Sequence, residues 1–187
     1  MDDHEYVSYE DFGRKFYEIA VTEQRVAAAF ADIAGNDFEI GPFRHGPGKF
    51  ARISAKVNVL RPEAERTVGD TITFDIRIPL AIDLVVDLRL DRQRFKVTGE
   101  IGLRAWARAA EPLLLILDVA KPRPSDVTVS VLSSSMRGEI LRILAGVDAE
   151  IQRFIAKYVG DEIDSPASKK AQVIDVAKRL DSAWTGI

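Results

Sequence analysis

The side chains able to do chemistry are few and scattered. The chain has no cysteine and only two histidines, His4 and His45. Thiol catalysis, disulfides and cysteine–zinc sites are therefore excluded. A multi-histidine metal site lacks ligands. Asp83, Asp87 and Asp91 recur at every fourth residue. Carboxylates serve acid–base work or a cation when they converge, and these lie ~13 Å apart along one strand. Arg77 and Arg89 share their face, which fits a solvated surface with cross-strand ion pairs. Ser133-Ser134-Ser135 has no nearby histidine and no nucleophile elbow. It reads as the end of a strand and the start of a helix cap. Arg44-His45-Gly46-Pro47-Gly48-Lys49 invites a phosphate-loop reading. It lacks the Walker spacing, and no Ser or Thr follows Lys49, so a turn is the better account. His45 is a lone loop histidine, a setting that more often serves no metal. No residue earns a catalytic or metal-binding role, no cofactor is expected, and the chain reads as a non-enzyme.

The elements carry more information. Ten consecutive even-numbered positions are apolar: Ile72, Phe74, Ile76, Ile78, Leu80, Ile82, Leu84, Val86, Leu88 and Leu90. The odd positions between them are mostly polar. Strand side chains alternate between faces, so this run has one apolar and one wet face. A typical strand has about five or six residues, whereas this parity holds for about twenty, a reach of roughly 65 Å. Pro79 falls on the wet parity and marks a bend, a bulge or an edge. Ile53, Ala55, Val57 and Val59 form an earlier strand. Phe95, Val97, Ile101, Leu103, Ala105 and Ala107 form a later one. Leu113–Leu117 is apolar at every position, which suits a strand covered on both faces or a membrane contact. Val127, Val129 and Val131 give the last strand. Residues 35–50 are rich in Gly and Pro and read as a loop, with Gly35 as a helix C-cap. Arg61–Arg66 reads as a connection.

Helices flank the strands. Phe12, Phe16, Ile19, Val26, Phe30 and Ile33 recur at helical spacing, predicting one helix over residues 8–34. Ser8 and Asp11 resemble a capping box at its start. Glu23 falls in the apolar seam. Either its carboxylate lies in water at the stripe's edge, or it meets a ligand head group or a buried arginine. Ile140, Leu144, Val147, Ile151, Phe154 and Tyr158 predict a second long helix over 137–164. A short helix over about 169–184 follows the Ser165-Pro166 break.

Composition sets the class. The chain has 187 residues, 47% of them hydrophobic and 29% charged, as in a soluble globular protein. Its net charge of -3 argues against broad nucleic-acid binding. There is no apolar run of about 20 residues to span a bilayer and no leader-like start, so a cytoplasmic location is expected, with peripheral membrane contact still open.

The expected fold is α+β: a long, curved antiparallel β-sheet covered on one face by two long α-helices, plus a short C-terminal helix. Residues 1–164 form one domain and 165–187 a helical appendage. The Thr71–Asp91 run and the helix starting Arg137-Gly138-Glu139-Ile140 resemble the tubular lipid-binding (TULIP-like) superfamily. In that family a curved antiparallel sheet wraps a long helix around an apolar tube. Ala109-Ala110-Glu111-Pro112-Leu113, followed by Lys121-Pro122-Arg123-Pro124-Ser125-Asp126-Val127, is also similar to a group of uncharacterised actinobacterial proteins. The resemblance implies carriage or sensing of a lipid or another apolar small molecule.

Two functions follow from the same pattern. In the first, an apolar ligand lies between sheet and helices. Phe74, Ile76, Leu84, Leu88, Ile101, Leu103, Ile151 and Phe154 form the wall, with Glu23 as polar anchor. In the second, these residues fill a solid core and the protein is a structural or interaction module. Trp106 and Leu113–Leu117 then offer contact surfaces to a protein partner.

Overall fold

The computed structural model describes residues 4–34, 37–131 and 145–184. Two strands form its spine: β4 (Ile72–Asp87), with 16 residues, and β5 (Arg92–Ala110), with 19. They pair antiparallel from Ile72↔Ala107 to Asp87↔Arg92. Every even-numbered side chain of β4 from Ile72 to Val86 is buried, because the alternation aims them all at one face. The parity outruns the strand. Leu88 is half-buried, and Leu90 is fully exposed in the turn to β5.

Each spine strand has two shorter partners along its outer edge. β2 (Ala51–Val59) pairs with the 80–87 half of β4, and β3 (Glu63–Val68) with its 72–77 half. Pro79 sits at this handover. Its carbonyl accepts from the Leu60 amide at 2.9 Å, so the donor that proline lacks would point to the gap between β2 and β3. β5 divides in the same way between β6 (Leu114–Val119) and β7 (Val127–Val131). With β1 (Phe38–His45) on β2 and β8 (Val173–Asp175) on β6, the eight strands make one curled antiparallel half-barrel.

Two strands depart from the sequence expectation. β1 lies in the stretch read as a loop. A bulge between Ile40 and Phe43 accommodates the Gly41-Pro42 breaker. Gly41 has φ +89, and a Cβ there would stand 2.7 Å from the Ile53 carbonyl oxygen. β3 occupies the stretch read as a connection. It is a sheet edge with no fully buried side chain, so no apolar alternation marks it.

Five helices belong to the described residues. The stretch 8–34 forms two helices, not one: α1 (Tyr9–Ala20) and α2 (Glu23–Ala34). Ser8 caps α1 by accepting the Asp11 amide at 3.1 Å. Thr22 accepts the Arg25 amide at 3.3 Å and begins α2. α2 packs on β3 and β4, with Val26 and Phe30 buried. α3 (Val147–Ile163) spans the concave side between strands β1 and β7. Tyr158 stacks on Phe38 at 3.9 Å between ring centroids, and Gln152 donates to the Val127 carbonyl at 2.9 Å. Ser133–Ser135, the 137–144 part of the expected second helix and the Gly35 C-cap lie outside the described residues. The C-terminal stretch is not wholly helical: α4 (Pro166–Ala171) leads into β8 and then α5 (Val176–Trp184).

Candidate functional site

The expected wall residues lie mostly within the packed core. Phe74, Ile76, Leu84, Ile101 and Ile151 are each 1% exposed or less, and Leu103 is buried beside them. Ile76 and Leu103 are direct cross-strand partners. Leu88 is half-buried at the turn. Phe154 is exposed at the rim and stacks on Phe43 at 5.8 Å. Glu23 is not with them. It accepts a hydrogen bond from the Arg66 amide at 3.0 Å and lines a polar cleft between α2 and the start of β3.

Open apolar surface gathers elsewhere, at the end of the sheet where β5 turns into β6. α1 contributes Phe12 and Phe16, the turn contributes Pro112 and Leu113, and α5 contributes Val176 and Leu180. They surround a cleft of about 560 Å³, within the range of small-molecule sites. Phe12, Leu113 and Leu180 are each more than half exposed. Isolated exposed apolar side chains are ordinary; several converging on one concavity point to a contact.

Local structure explains the convergence. Phe12 and Phe16 are four apart on α1, and their rings stack with centroids 6.4 Å apart. Val176 and Leu180 repeat the spacing on α5. The Val176 amide donates to the Leu113 carbonyl at 3.0 Å, and Asp175 caps α5 by accepting the Lys178 amide at 2.9 Å. α5 is thereby fixed to the turn at the cleft floor. No side chain of α1 is fully buried; Tyr17 and Ala20 pack partly against the core, and Phe12 and Phe16 are turned to the cleft. An isolated helix of that length is marginal in water, so a covering molecule would stabilise it. Tyr17, at the cleft margin, has its phenol pushed above the usual range by burial.

The signal for this cleft was present in the sequence as two i,i+4 apolar pairs and a greasy turn. Nothing in the periodicity said that elements as far apart in the chain as Phe12, Leu113 and Leu180 would meet. Of the charges expected to pair on the wet face, only Asp83 does so; Arg77 and Asp87 form no ion pair among the described residues. Asp83 pairs with its cross-strand partner Lys96, and Asp75 with Arg104 at 3.1 Å, whereas Arg89 and Asp91 fall in the β4–β5 turn. His45 ends β1, and its Nε2 lies 3.0 Å from the Ala145 carbonyl oxygen. Trp106 lies half-exposed on the wet face of β5. Among the described residues no group of three or more acidic or histidine side chains is placed to hold a metal ion, and no helix is long and apolar enough to cross a membrane. Neither a family model nor a curated protein matches the chain.

Proposed function

We propose that the protein binds a lipid chain or another apolar small molecule, and that the site is the cleft between α1, the β5–β6 turn and α5. The observation that carries this reading is the convergence of half-exposed Phe12, Leu113 and Leu180 on a cleft of about 560 Å³. Covering such surface is favourable by roughly 25 cal/mol per Å² of apolar area removed from water. A ligand between the sheet and α3 would have to part a core whose side chains expose almost nothing. The cleft offers apolar surface without that cost. The likeness to tubular lipid-binding proteins belongs to the same reading, with the ligand moved from the centre of the fold to its end.

Native mass spectrometry of the purified protein, followed by organic extraction of what it releases, tests the proposal together with calorimetric titration of decanol. A stoichiometric adduct, or decanol binding abolished by Leu180→Asp with the melting temperature unchanged, supports it. A clean mass with no decanol binding overturns it. Self-association in sedimentation would then favour the interaction module, whose contact would centre on the exposed edge residues Val173 and Ile174 beside the same turn.

A further inference from the structure

α1 has a second cleft on its other flank. Phe12 and Phe16 face the apolar cleft, whereas Glu10, Arg14 and Glu18, again at spacing four, line a cleft of about 580 Å³ with the β3–β4 turn and Arg108. Gly13, Tyr17 and Ala109 line both. On a helical wheel residues 13 and 17 fall between the two flanks, so the clefts adjoin beneath α1. At Gly13 the space is open: an added Cβ would meet nothing within 4 Å.

The charges of the second cleft do not cancel. Arg14 pairs with Glu10 at 3.5 Å, and Arg108 with Asp118 at 3.2 Å. Glu18 and Asp70, which also line the cleft, have no ion-pair partner among the described residues. Tyr17 adds an aromatic ring at the junction, and both carboxylates and π faces attract cations.

We propose that the ligand is a single-chain amphiphile with a cationic head. Its chain lies in the apolar cleft, and its head passes Gly13 to meet Glu18, Asp70 and the Tyr17 ring in the second. This inference rests on the proposed function and adds the chemistry of the head group.

The test compares three probes of equal chain length by calorimetry: decyltrimethylammonium, decanol and decanoate, each below its micellar concentration. Decyltrimethylammonium is expected to bind about tenfold more tightly than decanol, with decanoate weakest. Glu18→Gln combined with Asp70→Asn removes the preference and leaves decanol binding as it was. Gly13→Leu replaces a poor helix former with a good one, so the fold is retained, which a thermal melt verifies. It should bring the ammonium probe down to the affinity of decanol. Equal binding of the three probes to the native protein overturns the cationic head while leaving the apolar site standing, as does unchanged ammonium binding in Gly13→Leu. Binding of none of them overturns both.

Discussion

Glu23 and Arg66 lock the corner between α1 and α2 onto the edge strand β3. The Glu23 carboxylate accepts the Arg66 amide at 3.0 Å, and the Arg66 guanidinium donates to the Glu18 and Val21 carbonyls at 2.7 and 3.0 Å. Two needs are met at once. An edge strand has an unpaired backbone donor, and the end of α1 has unpaired acceptors. Arg25 adds a bond to the Ala20 carbonyl at 2.8 Å.

Arg66→Ala should therefore cost more than the loss of an exposed charge. Hydrogen bonds to charged groups contribute about 1.5–3 kcal/mol each, and Arg66 is half-buried. A loss of about 2 kcal/mol in urea unfolding is expected, with faster hydrogen exchange in α1 than in β4 or β5. Uniform exchange across the molecule would show that the corner is held by packing instead.

Phe74 and Leu90 share a sequence parity but not a fate. Phe74 is wholly buried and Leu90 wholly exposed. Phe74→Ala should cost about 3–5 kcal/mol, and Leu90→Ala less than about 0.5 kcal/mol. A large cost at Leu90, measured by denaturant midpoint, would contradict the turn at 88–91.

The same pair shows how far the sequence could be read. The spine was legible because β4 and β5 each bury one face along most of their length, and binary alternation reports burial directly. It could not say where pairing stops. Leu90 is lost to a turn in which the Leu88 amide bonds the Asp91 carbonyl and Arg89 takes φ +70. β3 was invisible because an edge strand can be held by its ladder without burying a face. The α1–α2 break was hidden by apolar residues continuing through Val21 and Val26, although Thr22-Glu23 is a readable cap. At the site, Phe12, Leu113 and Leu180 were each visible as apolar, but their meeting depends on β8, a strand of three residues too short to leave a pattern.

Gly41 tests the bulge that disguised β1. A side chain there meets both a positive φ and the Ile53 carbonyl at 2.7 Å. Gly41→Ala should destabilise by about 1–3 kcal/mol. The loss should appear as weakened protection of β1 amides before those of β4. A neutral substitution would mean that the bulge can shift its register.

Asp164 gives the fold an acid-sensitive clasp. It follows α3 and pairs with Lys121 of the β6–β7 connection and with Lys169 of α4, the latter at 3.3 Å. The hydrogen bond from Lys121 holds its carboxyl below the usual carboxylate range, aided by Lys169 and opposed by partial desolvation. A carboxylate whose pKa is lowered by folding binds fewer protons when folded than when unfolded. Its contribution is thus complete above the unfolded-state pKa and is lost as pH falls through the lower folded-state value. Asp164→Asn should lower stability at neutral pH and flatten the acid limb of the stability curve, the two proteins converging at pH below both values. Because the pair is solvent-exposed, added salt should shrink the difference. Urea unfolding across pH at two salt concentrations measures this, and parallel acid limbs for the two proteins would show that the clasp does not couple folding to protonation.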